Sequence, residues 1–290
     1  MSQELLPVAI LAGGLATRLG PLTKAMPKSL LDVAGEPFIA HQLHLLKSRG
    51  ARRVVLCVGY LGEMIQDFVK DGAAFGLEVA FSFDGPKLLG TGGAIKRAIA
   101  LLGDEFFVMY GDSYLRCDYR AVQATFEMDS AYAMEVNTDF TDSKDFREDF
   151  AARPSIEPSQ SVKAVFPSSL QGRTTGRGAL ALMTIIRNDD RWDRSNVEFR
   201  DGRIVAHDKK NRTPAMRHVD YGLGVFRREA FDFIEPAGAC DLAEVYSRAL
   251  AAGRLAAYEV SERFYEIGSV QGLEETRALL SGRDKEGATS

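Results

Sequence analysis

The first 136 residues alternate short apolar strands with helical stretches, and this alternation limits the folds that the chain can adopt. The predicted strands and helices occupy, in chain order, the ranges 8–11, 37–49, 54–58, 62–70, 77–83, 92–102 and 106–110. Strands joined by helices of this length require right-handed crossovers and pair in parallel. Because the strands are continuous apolar runs, we expect both faces of the sheet to be covered. The pattern therefore predicts an α/β fold with a mainly parallel central sheet.

The middle of the chain is the least regular part of the sequence. A helix is predicted over 119–128 and a strand over 131–136, and a polar stretch with three prolines follows over 137–178. We expect this stretch to be an irregular insertion, either a lid or a contact between protomers. The chain is otherwise expected to form one domain over 1–280, with a disordered tail at 281–290.

Regular patterning returns after the insertion and is mainly of the strand type. The predicted strands occupy 179–187, 196–199, 204–207 and 218–226. The Asp201-Gly202 pair is typical of a type I′ turn and predicts a hairpin between the second and third of them. Asp241 begins a capping box that opens a helix ending at 252, and a last helix is predicted over 270–280.

The composition excludes several classes of protein. The 290 residues carry a net charge of −4 and are 46% hydrophobic. A nucleic-acid-binding protein needs a basic face, so nucleic acid is not expected as a partner. No run reaches the ~18 apolar residues of a membrane span, and the N-terminus lacks the basic region of a secretory signal, so we expect no membrane contact. The three cysteines form no CxxC pair and are typical of reduced thiols in a cytoplasmic protein.

The most informative segment is LAGGLATRLGPLTKAMPKSL, residues 11–30, which follows the first predicted strand directly. Glycines at the carboxyl end of such a strand present backbone N–H groups to the binding crevice of an open α/β sheet. Gly13 and Gly14 allow close approach of a ligand, and Arg18 and Lys28 supply positive charge for a polyphosphate. The segment contains neither GxxxxGK[ST] nor GxGxxG, so it is neither a Walker loop nor a dinucleotide fingerprint.

This segment resembles the opening signature LAGGxGTRLxPLTxxxPKxL of the sugar-1-phosphate nucleotidyltransferases, with Ala16 where the family usually has glycine. The resemblance implies a Rossmann-like three-layer αβα fold with a small β-rich sugar-binding part. It implies transfer of a nucleoside monophosphate from an NTP to a sugar 1-phosphate with release of pyrophosphate. Arg18 and Lys28 would be catalytic. The nucleotide-binding residues would be Leu11, Ala12, Gly13, Gly14, Thr17, Gly90, Thr91, Gly92 and Asp112.

Two carboxylates are candidates for a Mg²⁺ site. Asp112 follows the predicted strand 106–110 and therefore lies at the same edge of the sheet as the glycines. Mg²⁺ at phosphates is held by one or two carboxylates and by phosphate oxygens. The family resemblance assigns the first ligand to Asp112. The late segment FYEIGS resembles the family's [FW]xDxG[ST] motif and assigns the second ligand to Glu266.

Further motifs resemble the family's substrate-binding segments. LGTGGA, residues 89–94, resembles the stretch that holds the nucleobase in the family, which assigns Gly90, Thr91 and Gly92 to the base. Its form is most similar to that of mannose- and heptose-1-phosphate guanylyltransferases, so GTP with a sugar of that type is the favoured pair. HDKK, residues 207–210, stands in place of the family's EKP motif, so Lys209 or Lys210 would grip the sugar phosphate. DYGLGVF, residues 220–226, resembles NAGIYVF. The predicted sugar-phosphate-binding residues are Asn196, Lys209, Tyr221 and Gly222.

The sequence leaves other functions open. A CTP-dependent cytidylyltransferase that acts on phosphocholine, a phosphonate or another small phosphorylated acceptor would share the opening loop. A non-catalytic nucleotide sensor of the same fold is a second alternative, although Arg18, Lys28, Asp112 and Glu266 are all present. The resemblance divides the chain into a nucleotide-binding part at 1–136 and a sugar-binding part at 179–268. A homo-oligomer is an outcome that the sequence leaves undecided.

Overall fold

The computed structural model describes residues 4–14, 19–20, 23, 25–138 and 178–282, with the backbone alone for 130–138. Most of the insertion and the tail therefore lie outside the described residues. The strands are β1 (Val8–Leu11), β2 (Asp32–Val33), β3 (Glu36–Pro37), β4 (Arg53–Val58), β5 (Glu78–Phe83), β6 (Glu105–Tyr110), β7 (Ser113–Tyr114), β8 (Ala181–Arg187), β9 (Val197–Arg200), β10 (Arg203–His207), β11 (His218–Arg227), β12 (Leu255–Val260) and β13 (Tyr265–Glu266). The helices are α1 (Phe38–Ser48), α2 (Gly62–Val69), α3 (Gly90–Leu102), α4 (Tyr119–Thr138), α5 (Leu242–Ala251) and α6 (Val270–Leu280).

A large sheet forms the centre of the molecule, and its main path runs β10-β9-β11-β6-β1-β4-β5. Strand β1 pairs in parallel with β4 on one side and with β6 on the other. The second half of the chain continues the same sheet, because β11 pairs antiparallel with β6 and also with β8. Strand β12 then pairs in parallel with β8. The prediction of a mainly parallel central sheet in an α/β fold is confirmed.

Helices cover both faces of this sheet, as the apolar strands predict. Alternate residues of β1 face opposite ways, since Val8 and Ile10 pack with α1, α2 and α4, whereas Ala9 packs with α3 and α5. All three side chains are fully buried. The sheet is therefore the middle of three layers, and period-two alternation within each strand feeds two separate hydrophobic clusters.

The order in which the strands are added creates a crevice at the carboxyl end of β1. The chain passes outward from β1 to β4 and β5 and then returns through α3 to place β6 on the other side of β1. Loops that leave β1 and β6 diverge at such a reversal, and ligands of open α/β sheets bind there. The glycines after β1 and the aspartate after β6 therefore belong to one crevice.

Several local predictions are confirmed and one is wrong. Asp201 and Gly202 both have positive φ, at 50° and 74°, as a type I′ turn requires. Asp241 caps α5 by accepting a hydrogen bond from the amide of Ala243. The predicted strand 131–136 is instead part of α4, because alanine, methionine and glutamate favour helix and no glycine or proline interrupts the helix before it.

Some elements were not predicted at all. Strand β12 contains Leu255, two alanines and Glu259, a composition with little strand preference, and it forms because it pairs with the buried β8. The two-residue strands β7 and β13 pair across a large separation in sequence. No helix within the described ranges is long and apolar enough to cross a membrane.

Candidate active site

A cleft of about 230 Å³ opens at the carboxyl ends of β1 and β6. It is also lined by residues of β4, of the loop after β5 and of the first turn of α3. The predicted site residues that line it are Leu11, Ala12, Gly13, Gly14, Lys28, Gly90, Thr91 and Asp112. These residues come from four separate segments, and the sheet topology brings them together. Thr17 and Arg18 lie outside the described residues.

Close packing of glycines shapes the floor of this cleft. A Cβ on Gly13 would lie 3.0 Å from the amide nitrogen of Gly59, and one on Gly111 would lie 2.6 Å from the carbonyl oxygen of Leu11. The amide of Gly111 donates to that same carbonyl at 2.9 Å. The turns after β1, β4 and β6 can therefore approach one another only because each carries a glycine. Sequence analysis missed Gly59, which directly follows a predicted strand.

The backbone donors of the glycine loop divide into two groups. The amide of Ala12 donates to the carbonyl of Cys57 at 2.8 Å and so extends the sheet by one residue. No acceptor among the described residues pairs with the amides of Gly13 or Gly14. A Cβ on Gly14 would have no neighbour within 4 Å among the described residues, so no described group fills the space beside it. Gly13 and Gly14 are thus the residues whose N–H groups can meet an anion, whereas Ala12 serves the scaffold.

Lys28 and Asp112 form an ion pair in the wall of the cleft. The Lys28 Nζ lies 2.5 Å from the Asp112 Oδ2, and each side chain is 19% exposed. Lys28 begins a short 3₁₀ helix after Pro27, whose φ of −64° is suited to a helix start. Asp112 lies two residues after the end of β6. The two residues that the sequence predicts as catalytic lysine and metal ligand therefore meet in one place.

Glu266 reaches the same region through its backbone. In the β7–β13 ladder Glu266 pairs with Ser113, and the amide of Ile267 donates to the carbonyl of Asp112 at 2.9 Å. The middle of α6 holds this short strand, because the Thr276 hydroxyl donates to the Glu266 carbonyl at 3.1 Å. Glu266 lies beside the cleft without lining it.

The donor set at this place fits a hard dication. Carboxylate oxygens are the protein ligands that Mg²⁺ prefers, and Mg²⁺ commonly takes its remaining ligands from phosphate and water. Within the part of the chain that the structure describes, no three or more His, Cys, Asp or Glu side chains form a metal cage. A site of Asp112, Glu266 and nucleotide phosphates needs no such cage, and the Mg²⁺ assignment remains a prediction.

Asp84 is a cleft residue that sequence analysis missed. It directly follows β5 and is only 6% exposed, although it lines the cleft. Its Oδ2 accepts a hydrogen bond from the amide of Leu89 at 3.4 Å. Burial raises the pKa of this carboxyl, and the Leu89 amide and the charge of Arg97 oppose that rise. The signal in the sequence was its place at the carboxyl end of a strand, the same argument that identified Asp112.

The predicted base-binding turn also has a structural task. The amides of Gly92 and Gly93 both donate to the carbonyl of Cys240, at 2.9 and 3.2 Å. The Thr91 hydroxyl donates to Asp241 and accepts from the amide of Leu242. Gly92 does not line the cleft, and the amide that was predicted to meet a base is used in packing α3 against the start of α5. Gly90, with φ of +71°, does line it.

The predicted sugar-phosphate residues occupy different depths. Lys209 extends over the ring of Tyr110, with its Nζ 5.9 Å from the centroid, and Tyr110 lines the cleft. Lys209 and Lys210 are both exposed, and the position of the Lys209 ammonium over the Tyr110 ring favours Lys209 as the residue at the acceptor side. Gly222, with φ of +96°, lies behind Tyr110, where an added Cβ would be 3.4 Å from its Cδ2. Gly222 therefore supports the wall that Lys209 covers.

Two other predicted acceptor residues are buried in the scaffold. Asn196 is 5% exposed, and its side-chain oxygen accepts from the amide of Asp220 at 3.3 Å. Tyr221 is 1% exposed and packs edge-on against Phe264. Both side chains stabilise the segment before Gly222. Direct contact with a sugar through either residue remains a prediction that this geometry does not favour.

A larger cleft of about 360 Å³ lies between the end of α1, the start of α4 and β12. Arg49, Arg116 and Arg120 line it. None of the residues predicted for phosphate, metal or sugar binding contributes to it. We place the candidate site at the smaller cleft, because the glycine loop, Lys28 and Asp112 converge there at the topological reversal of the sheet.

This fold and this site define an α/β protein with an ion pair in a cleft at the carboxyl ends of its strands, and comparisons with known proteins show what the chain is similar to. Residues 8–147 match the family described as nucleotidyl transferase. The N-acetylmuramate alpha-1-phosphate uridylyltransferase of Neisseria meningitidis is 27% identical over 93% of this chain and 96% of its own length. The D-glycero-alpha-D-manno-heptose 1-phosphate guanylyltransferase of Campylobacter jejuni is 36% identical over 38% of this chain and 48% of its own length.

Solved structures agree on the fold. HddC from Yersinia pseudotuberculosis superposes with a TM-score of 0.64 at 19% identity, over 95% of this chain and 100% of that one. The inositol-1-phosphate CTP transferase from T. maritima gives a TM-score of 0.64 at 17% identity over the whole of both chains. The chain carries a nucleotidyl transferase match over residues 8–147 and is a nucleotidyltransferase, and its relatives include proteins named as sugar-1-phosphate uridylyl- and guanylyltransferases. The family predicted from the opening motif is confirmed.

Proposed function

We propose that this enzyme transfers a nucleoside monophosphate from an NTP to a sugar 1-phosphate and releases pyrophosphate. The observation that carries the proposal is the meeting of Gly13 and Gly14 with the Lys28–Asp112 pair at the carboxyl ends of β1 and β6. The match of the Neisseria sugar-phosphate uridylyltransferase over nearly the whole of both chains supports the same reaction. Lys209 beside Tyr110 supplies a cation on the acceptor side of the cleft.

The reaction joins two anions, so positioning and charge neutralisation account for most of the catalysis. A phosphate oxygen of the sugar 1-phosphate attacks the α-phosphorus of the NTP in line, and pyrophosphate leaves with the electrons of the broken P–O bond. The amides of Gly13 and Gly14 bind the phosphates. Lys28 stabilises the α-phosphoryl group and Arg18 the departing pyrophosphate. Asp112 and Glu266 would hold Mg²⁺, which when bound neutralises charge on both phosphates.

Asp84 supports GTP as the donor. An ionised carboxylate only accepts hydrogen bonds, and the Watson–Crick edge of guanine offers two adjacent donors, N1–H and the N2 amine. Uracil offers one donor between two carbonyls, which a carboxylate would repel. The relative matched over its full length is named a uridylyltransferase, so UTP is the competing donor. The heptose-type guanylyltransferase aligns over a part of the chain only.

The acceptor belongs to the sugar 1-phosphates, and we propose a mannose- or heptose-type sugar. The similarity to the Campylobacter enzyme supports this choice, and N-acetylmuramate 1-phosphate is the competing acceptor on the similarity to the Neisseria enzyme. The three cysteines are free and buried, which is consistent with the proposed cytoplasmic location.

Pyrophosphate release over a matrix of four NTPs and several acceptors tests the reaction. The acceptors are mannose, heptose, glucose and N-acetylmuramate 1-phosphates, phosphocholine and a phosphonate. We expect release only with a sugar 1-phosphate and a preference for GTP. Preference for UTP would overturn the donor assignment alone. Release with CTP and phosphocholine would show that the protein is a cytidylyltransferase, and no release with any pair would favour a nucleotide sensor.

Replacing Asp84 by asparagine tests whether Asp84 recognises the guanine base of the donor. Asparagine is uncharged and has one acceptor oxygen where aspartate has two. It should therefore bind the two guanine donors more weakly, and kcat/KM for GTP should fall by about 10- to 100-fold. The loss for UTP should be smaller, since an amide can both donate and accept. Asp232→Asn, at an exposed aspartate, is the control and should change neither value. An equal loss for both donors would exclude a base-reading role.

The pH dependence of GTP binding follows from the raised pKa of Asp84. The buried carboxyl takes up a proton at a higher pH than an ordinary aspartate. A protonated carboxyl loses one acceptor, so the KM for GTP should rise as the pH falls through that raised pKa. Asp84→Asn should remove this rise, which distinguishes it from protonation of the nucleotide phosphates. A KM profile identical in both proteins would contradict the assignment.

A further inference from the structure

The ion pair between Lys28 and Asp112 places the predicted catalytic cation on the predicted metal ligand. Its Nζ–Oδ2 distance is 2.5 Å, shorter than an ordinary charge-assisted hydrogen bond. Both side chains are 19% exposed, so water screens the pair less than it would at the surface. In this arrangement the ammonium occupies a lone pair that a dication would need.

Lys28 opposes metal binding at either oxygen of the carboxylate. A dication on Asp112 Oδ1 or Oδ2 would lie within about 5 Å of the ammonium, where like charges repel strongly in a partly buried site. The metal can therefore bind Asp112 well only after Lys28 has moved away or lost its charge. The short 3₁₀ helix Lys28–Leu30 fixes the lysine backbone, so the side chain is the part that moves.

The nucleotide provides the alternative partner for Lys28. The lysine lines the same cleft as Gly13 and Gly14, whose amides have no acceptor among the described residues. A triphosphate bound by those amides would present oxygens to the lysine side chain inside that cleft. If the Lys28 side chain moves from the Asp112 carboxylate to a phosphate, its charge stays paired and the Asp112 carboxylate becomes available to a metal ion.

We propose that Lys28 closes Asp112 to divalent cations until a nucleoside triphosphate arrives, so that metal and nucleotide bind together. This inference rests on the proposed function, because it takes the nucleotide to bind at the glycine loop. It assigns to Lys28 a second task, which precedes its role at the α-phosphoryl group. It also prevents an unproductive metal complex at the empty cleft.

Binding of Mn²⁺ in the absence of nucleotide, followed by electron paramagnetic resonance, tests this inference without any turnover. Lys28→Met keeps the length of the side chain and removes its charge, so Mn²⁺ should bind about 10- to 100-fold more tightly than to the wild type. Lys28→Gln should give a gain in the same direction. The double variant Lys28→Met/Asp112→Asn should lose the gain, because it lacks the ligand that was exposed.

The chain offers a matched control. Lys96 forms an ion pair with Asp232 at 3.4 Å and is 18% exposed, close to the exposure of Lys28. Lys96→Met should leave Mn²⁺ binding unchanged. With a saturating non-hydrolysable GTP analogue, the wild type and Lys28→Met should differ much less than without it, because Lys28 has then left Asp112.

Two results would overturn the inference: wild-type protein that binds Mn²⁺ alone as tightly as the folded Lys28 variants, or a gain that survives in the double variant. Thermal unfolding establishes that each variant is folded. Failure here is distinct from failure of the proposed function. If the protein releases pyrophosphate but its Lys28 variants bind Mn²⁺ no more tightly, the proposed function stands and the inference is wrong. If the variants bind Mn²⁺ more tightly but the protein transfers no nucleotide, the role of Lys28 at Asp112 stands and the proposed function is wrong.

Discussion

Replacing Asp112 by asparagine should lower the rate of pyrophosphate release by about 10²–10³-fold, by analogy with the cost of removing one oxyanion-hole donor. The variant removes the negative charge that would hold Mg²⁺ and leaves Lys28 without its partner in the cleft wall. The side chain is partly exposed and follows β6 without contributing to either hydrophobic cluster, so the fold should persist. Steady-state kinetics with saturating donor and acceptor give the measurement.

Asp104→Asn is the matched control for this substitution. Its carboxylate is 86% exposed and pairs with Arg228 at the surface, 3.3 Å away, at the other end of β6. It should retain full activity and an unchanged melting temperature. Full activity in a folded Asp112→Asn variant would remove the candidate active site from this cleft. A loss of activity accompanied by unfolding would instead show that Asp112 acts in the scaffold.

Replacing Gly111 by alanine should destabilise the protein by about 1–3 kcal/mol and displace the turn that carries Asp112. The new Cβ would lie 2.6 Å from the carbonyl oxygen of Leu11 and 2.9 Å from the Cα of Ala12, and both are backbone atoms that cannot rotate away. The hydrogen bond from the Gly111 amide to the Leu11 carbonyl would lengthen as the turns separate. Denaturant unfolding measures the stability, and pyrophosphate release measures the displacement.

Gly14→Ala is the control that distinguishes the steric clash at Gly111 from the general effect of replacing a glycine by alanine. An added Cβ at Gly14 meets none of the described residues within 4 Å, so the free energy of unfolding should change little even if phosphate binding weakens. Equal destabilisation by both substitutions would contradict the packing argument. A stable Gly111→Ala protein with normal activity would show that the turns after β1 and β6 can separate without cost.

The first half of the fold could be predicted from the sequence because its elements are encoded locally. Strands β1, β4, β5 and β6 lie within one residue of their predicted ranges, since each is an apolar run bounded by turn residues. The error at 131–136 arose because a short apolar run is compatible with a buried strand by its period alone, whereas its alanines and methionine favour the helix that forms. Strand β12 was missed because its pairing with β8 outweighs its weak preference.

The candidate site was predictable to the extent that it depends on strand ends. Lys28 and Asp112 were identified from motifs and do meet in the cleft, whereas Asp84 was overlooked although it ends a strand in the same manner. Asn196 and Tyr221 were assigned to the sugar through a resemblance in sequence, and because both side chains are buried in the scaffold their contact with a sugar stays a prediction. A motif gives the position of a residue in the chain without giving the direction of its side chain.

The sequence by itself determined the alternation of strands and helices, the glycine turn after β1 and the family, because these depend on apolar periodicity and on short contiguous motifs. Only the tertiary structure decided that Lys28 binds Asp112, that Cys240 occupies the amides at the start of α3, and that Glu266 runs beside Asp112. These contacts join residues that are far apart in sequence. Whether such groups meet depends on how the layers pack around β1, and the local conformational preferences of the residues carry no information about that packing.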